Sequence, residues 1–348
     1  MNAICSERSR FYEAIASNLS IKQGDRAGVH NVKEFSNDRH AGEFMVDLLG
    51  YGEKDSTPQS LATLFVIASL SVFLLFRWDM NDLLIESFPS FHSSTFPLIL
   101  VLLWRLICLL IGASAIVYMY RMETGKMIVI DHQSRSERMT HPVKSEKFVT
   151  FSSWTLLSNF TYFVLASAGT YLVMGGKNVP QWLEIFQVAV FSTALGAAFL
   201  TSTIVRFVIL PGEVRQRRNH DHQFLFHNQI MHNFAAVFLT IEIILAQPYL
   251  QPEFALFGLF LGLIYAAFAY PFAYCWRGYY VYGFIDPRLK FAPFLQSGLA
   301  GAISIFYLGL WLGSELVSYN LALGSLVLIL WVSQIVQFKS GLAKEDEL

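Results

Sequence analysis

The chain has 348 residues, 54% of them hydrophobic and only 15% charged, and its formal net charge is −1. It is too apolar for an ordinary soluble domain. With no basic surplus, it is not expected to bind nucleic acid, because phosphate binding needs a positive surface.

Residues 1–59 are polar and mixed in charge, and read as a cytosolic tail with a short helix around Ser9–Asn18. No apolar run precedes Leu61, which is too late for a cleaved signal peptide. Residues 60–338 then hold apolar runs of spanning length, since about 20 residues at 1.5 Å rise cross the hydrocarbon core. They cover approximately Ser60–Phe76, Thr95–Tyr120, Phe148–Met174, Leu183–Leu210, Asn228–Gln247, Phe254–Trp276, Phe291–Ser314 and Leu321–Phe338. The expected fold is therefore all-α, a polytopic transmembrane bundle of about eight spans, with residues 339–348 as a C-terminal tail. Trp78, Trp104, Trp154, Trp182 and Trp276 mostly fall near span ends, where amphipathic rings favour the headgroup region. Gly309 and Gly313 form a small-xxx-small pair suited to close helix packing.

Eight spans would place Arg121, Lys126, Arg135, Arg138, Lys144, Lys147, Arg215, Arg217, Arg218, Arg277, Arg288, Lys290, Lys339 and Lys344 on the side of the N-terminus. Only Arg77 and Lys177 fall opposite. Lys and Arg are retained in the cytosol during insertion, so both termini are expected there. The closing Lys-Glu-Asp-Glu-Leu looks like a luminal retrieval tail, but this topology keeps it in the cytosol.

No soluble-enzyme motif is present, and the informative residues are polar groups inside spans. Residues 219–233 contain His220, His222, His227 and His232, a conceivable metal set. His227 and His232 are five apart, about 140° around an α-helix, so they should not share a face and no metal is expected. His232 lies about one turn into its span, and Thr150 is expected one turn into another, entered from the same side. A hydroxyl beside an imidazole is the minimum for nucleophilic acyl transfer. Ser152, Ser153 and Thr155 are also near. Arg105 and Glu242 lie deep enough in their spans to meet as a structural ion pair, or to line a substrate path.

HNQIMHNFAAVFLTIEII places His232 ten residues before Glu242. This block resembles the corresponding helix of the androgen-induced family of integral-membrane hydrolases, and is similar to the rolling stone family. FVTFSSWTLLSNFTYFVL and GYYVYGFIDP resemble further segments of both, in the same order, over roughly residues 148–290. LVLLWRLICLL, with Arg105, is closer to the rolling stone branch. The resemblance implies hydrolysis of fatty acid esters of hydroxy fatty acids, with Thr150 as nucleophile and His232 as essential base. It implies no cofactor; the expected partners are the bilayer and a lipid ester. Asn233 and Tyr279 are candidate oxyanion donors. The expected location is the endoplasmic reticulum, another endomembrane, or the plasma membrane. The rolling stone likeness implies instead a non-catalytic multi-pass protein of membrane organisation or cell–cell processes. A transporter built on Arg105 and Glu242 is disfavoured, because no inverted repeat of broken helices is visible.

Overall fold

The computed structural model describes residues 50–216 and 218–339; the expected tail helix near Ser9–Asn18 and the last nine residues lie outside them. The apolar runs become helices because a backbone in hydrocarbon must satisfy its own hydrogen bonds. They are α1 (Thr57–Arg77), α3 (Leu98–Arg121), α4 (Phe151–Met174), α5 (Gln181–Arg215), α6 (Phe226–Ala246), α7 (Pro252–Trp276) and α8 (Ala292–Tyr319). Among the described residues these seven are long and apolar enough to cross a membrane, and the protein is an all-α polytopic integral membrane protein. The short α2 (Met80–Ser87) and a 3-10 turn, Phe88–His92, precede α3.

The eighth apolar helix, α9 (Leu321–Ile335), has only 15 residues, about 22 Å at 1.5 Å each. It runs alongside α6. Near its start, Ser314 on α8 donates to Pro248 O beyond the end of α6. Past its end, Gln337 is bonded to Asn233, near the start of α6. Close packing against α8 uses glycines on both helices. A Cβ on Gly324 would lie 2.4 Å from the Val317 backbone nitrogen, and one on Gly313 would lie 2.6 Å from Leu328. Gly309 likewise makes room for Trp331.

Contacts divide the chain into two units. The larger comprises Ala62–Met127, Met139–Tyr265 and the residues from Gln296 onward. Its centre is α5, where every residue from Ala194 to Ser202 is buried. Leu195, Phe199 and Leu239 are fully enclosed there, whereas Phe65, Phe73 and Phe76 of α1 are exposed, as suits a lipid-facing helix. Trp104 departs from its expected place at an interface. Its ring meets Phe238 edge-on at 5.7 Å inside the bundle.

The smaller unit joins residues 50–61, Ile128–Arg138 and Ala266–Leu295. Strand β1 (Met127–Asp131) lies between β2 (Glu137–Thr140) and β3 (Tyr279–Tyr280), with Ile130 opposite Tyr280. Buried Asp286 accepts from Tyr51 Oη at 2.9 Å and from Arg288 Nη2 at 2.6 Å. The Arg288 guanidinium also lies over the Tyr51 and Tyr280 rings. Burial and the Asp286 charge push the Tyr51 phenol up to about 12. Tyr279, Tyr280 and Asp286 of the GYYVYGFIDP segment are thus the buried framework of this unit.

Candidate functional site

Two polar centres lie at different depths of the larger unit. The first is built on Thr150 and His232. A 3-10 turn, Lys144–Val149, leads into α4, and buried Lys147 donates its ammonium protons to Met119 O and Met122 O at the end of α3. That places a cation on the negative end of a helix. Thr150 follows in extended conformation and is the N-cap of α4, not a residue one turn inside it as the sequence implied. The correction has a simple cause. Its hydroxyl accepts from Ser153 N at 3.1 Å, satisfying one of the first-turn amides that an α-helix leaves unbonded. Ser153 Oγ donates to Lys147 O at 3.1 Å, so the proton in its 2.6 Å contact with Thr150 Oγ1 comes from Thr150.

His232 lies in a π-helical turn, Ile230–Phe234, within α6. Ala235 N–H reaches back five residues to Ile230 O, and the Ser202 hydroxyl of α5 donates to His232 O. The imidazole is buried, and its Nδ1 has no hydrogen-bond partner among the described residues. Nor does a hydrogen bond join it to Thr150, whose hydroxyl is engaged with Ser153. Beside this turn, Thr155 Oγ1 of α4 and Thr201 Oγ1 of α5 are 3.0 Å apart.

The π-turn also alters the expected relation of the histidines. His232 lies within the π-turn and His227 in the α-helical stretch before it, so the separation of about 140° expected for an α-helix holds only approximately. His227 is buried against Tyr118, with ring centroids 5.7 Å apart. The outermost, His222, has Nε2 3.3 Å from Glu213 Oε1. Nothing in the sequence marks a π-turn, and His227 had drawn attention only as a metal ligand. Among the described residues, no group of three or more His, Cys, Asp or Glu side chains is arranged to hold a metal ion. Asn233 makes a poor oxyanion donor here, because its amide protons go to Gln229 Oε1 and Gln337 O. Tyr279 lies in β3 of the smaller unit.

The second centre is Arg105 with Glu242. Arg105 Nε donates to Glu242 Oε1 at 2.8 Å. Nη2 also lies 2.6 Å from Glu242 Oε1, and the other guanidinium protons go to Thr170 Oγ1, Ala166 O and Phe91 O. Tyr162 Oη donates to the same carboxylate oxygen at 2.7 Å. Tyr162, Thr170 and the Phe91 carbonyl were not legible as partners, because single hydroxyls and backbone groups carry no sequence signal. In the adjoining turn, His92 lies 3.5 Å from Gln187, and burial together with the Arg105 charge pushes its imidazole down to about 3.

The two centres do different things. Every guanidinium donor of Arg105 is used within the protein, which suits a bracing role, while Glu242 Oε2 and His232 Nδ1 are each left without a hydrogen-bond partner among the described residues. Comparison with protein-family models, with curated proteins and with solved structures finds no match for the chain.

Proposed function

We propose that this chain is an integral-membrane hydrolase of fatty acyl esters, similar to the androgen-induced family, in which Thr150 is the nucleophile and His232 the general base. The observation that carries the reading is the buried His232 imidazole, whose Nδ1 has no hydrogen-bond partner among the described residues and is open to exchange a proton. Thr150 adds support. Its oxygen sits at the amino end of α4, where the helix dipole favours developing negative charge.

In this mechanism the Thr150 hydroxyl breaks from Ser153 and attacks the ester carbonyl while His232 takes its proton. His232 returns the proton to the departing alkoxide, leaving an acyl-threonine. Water then attacks that acyl group, giving its proton to His232 and releasing the fatty acid, and the proton returns to Thr150 Oγ. No metal or organic cofactor enters these steps. The basic loops orient the site toward the cytosolic leaflet of the endoplasmic reticulum, another endomembrane or the plasma membrane, with both termini cytosolic.

A second reading is a non-catalytic membrane protein of rolling stone type. One observation favours it: the Thr150 hydroxyl already serves as a helix cap. Purified wild type, Thr150→Ala and His232→Ala, assayed on a fatty acid ester of a hydroxy fatty acid, separate the two. The hydrolase reading expects turnover that both substitutions abolish in folded protein. A folded wild type inert on a panel of lipid esters leaves the non-catalytic reading in its place.

A further inference from the structure

Beyond α9 the chain leaves the helix at Val336 in extended conformation. Val336, Gln337 and Phe338 are gripped through their main chain by side chains of α5 and α6. Arg206 donates to Val336 O. Asn233 clasps Gln337 from both sides, accepting from its N–H at 3.0 Å and donating to its carbonyl at 2.8 Å. Gln229 reaches Phe338 O at 3.4 Å, and the Phe338 ring lies 5.1 Å from Phe234.

The gripping residues are not scattered. Arg206 belongs to a π-turn in α5, Val205–Ile209, and Asn233 and Phe234 belong to the π-turn of α6 that carries His232. Both widened turns therefore face one strand of main chain. A π-turn contains one residue more than the α-helical turn it replaces, and rewinding it rotates the flanking residues by about 100° relative to one another. His232 is the residue immediately before the clasping asparagine.

We infer that Val336–Phe338 is an autoinhibitory strap, which locks the α6 π-turn through Asn233 and holds His232 out of hydrogen-bonding contact with Thr150. The inference rests on the hydrolase reading for its consequence, though not for its geometry. With the strap in place, Thr150 stays bonded to Ser153, and the His232 carbonyl stays bonded to Ser202. Release of the strap frees the Asn233 amide, lets the turn rewind and swings the imidazole. A device of this kind suits an enzyme in a bilayer of esters, since it separates membrane residence from turnover.

The test uses the full chain in nanodiscs, as wild type, Gln337→Pro and Asn233→Ala. Proline removes the N–H that Asn233 accepts, and Val336 already has the extended backbone that precedes proline comfortably. Hydrogen exchange of the Ile230–Ala235 amides is followed beside hydrolysis of a fatty acid ester of a hydroxy fatty acid. The strap predicts that both variants exchange these amides at least about tenfold faster, because an opened turn exposes them. It also predicts that both cleave the ester several-fold faster than wild type. Unchanged exchange in both variants overturns the strap. So does faster exchange with slower hydrolysis. Faster exchange with no cleavage by any form leaves the hold on the π-turn standing and overturns the hydrolase reading instead.

Discussion

Arg105 Nη2 lies 2.6 Å from Glu242 Oε1, and neither side chain has any exposed surface. Removing one member leaves a buried charge unpaired, which costs about 3–5 kcal/mol, whereas replacing both with apolar residues removes the desolvation problem as well. Arg105→Met and Glu242→Gln are each expected to destabilise the folded protein by that amount. The Arg105→Met/Glu242→Met double variant is expected to cost much less than the two losses added together. Thermal unfolding in a mild detergent reads all of them, and single-variant losses below about 1 kcal/mol, as for an exposed pair, would contradict the assignment.

Thr150 is both helix cap and proposed nucleophile, and serine separates the two roles from alanine. Thr150→Ala is expected to lose about 1 kcal/mol of stability from the cap and all hydrolysis. Thr150→Ser keeps the cap within a few tenths of a kcal/mol and retains measurable turnover, because the hydroxyl remains. A folded alanine variant that turns over as fast as wild type would remove Thr150 from the chemistry.

The spans were legible because their apolar runs have the length the bilayer demands. Ser60–Phe76 was read where the helix is Thr57–Arg77, and Leu183–Leu210 where it is Gln181–Arg215. α2 was missed because only eight residues form it, with Met80, Leu84 and Ser87 turned inward. β3 was missed because two residues of strand carry no alternation. The π-turns at Val205–Ile209, Ile230–Phe234 and Phe272–Trp276 have no compositional mark, so helical angles drawn from the sequence hold only approximately where they cross them. Arg105 and Glu242 stood out because a charge in hydrocarbon is expensive, whereas Tyr162 looks like any other aromatic residue.

The α8–α9 contact gives a prediction that depends on packing alone. A side chain on Gly324 meets main-chain atoms of α8, which cannot rotate away as a side chain can. Gly324→Val is expected to separate the two helices, destabilising the protein by several kcal/mol through overpacking of backbone against side chain. Gly301 has open space around it, and Gly301→Ala is expected to leave stability within about 0.5 kcal/mol or improve it. Gel filtration and thermal unfolding of the two variants in detergent compare them directly, and equal behaviour would show that the contact does not hold α9 in place.

His92 makes stability depend on pH in a defined direction. Its imidazole falls from 6.5 to about 3 on folding, so the fold favours the neutral ring. Between those values the unfolded chain binds a proton that the folded one does not. Stability from this group is complete above about pH 6.5, declines as pH falls below it, and levels off only near 3. His92→Gln is expected to flatten the fall in unfolding temperature between pH 7 and 5; an unchanged slope would show that His92 is not the group responsible.

Sidedness can be read without any assay of activity. Tags on the two termini, in sealed endoplasmic reticulum vesicles with the cytosolic face outward, are both expected to be cut by added protease. Protection of either terminus would contradict an even number of crossings with the basic loops in the cytosol.

The Arg105 contacts also set an order of events during synthesis. The Phe91 carbonyl precedes Arg105 by 14 residues and is available at once. Ala166 and Thr170 arrive 61 and 65 residues later, and Glu242 only after 137. At about 5–20 residues per second, the ribosome adds the carboxylate roughly 7–30 s after the guanidinium. For that interval α3 carries an uncompensated cation, which disfavours its release alone into lipid. The helix is therefore expected to wait at the insertion machinery until α6 emerges, so that α3 to α6 enter the bilayer as a group and Glu242 acts as the signal that assembly is complete.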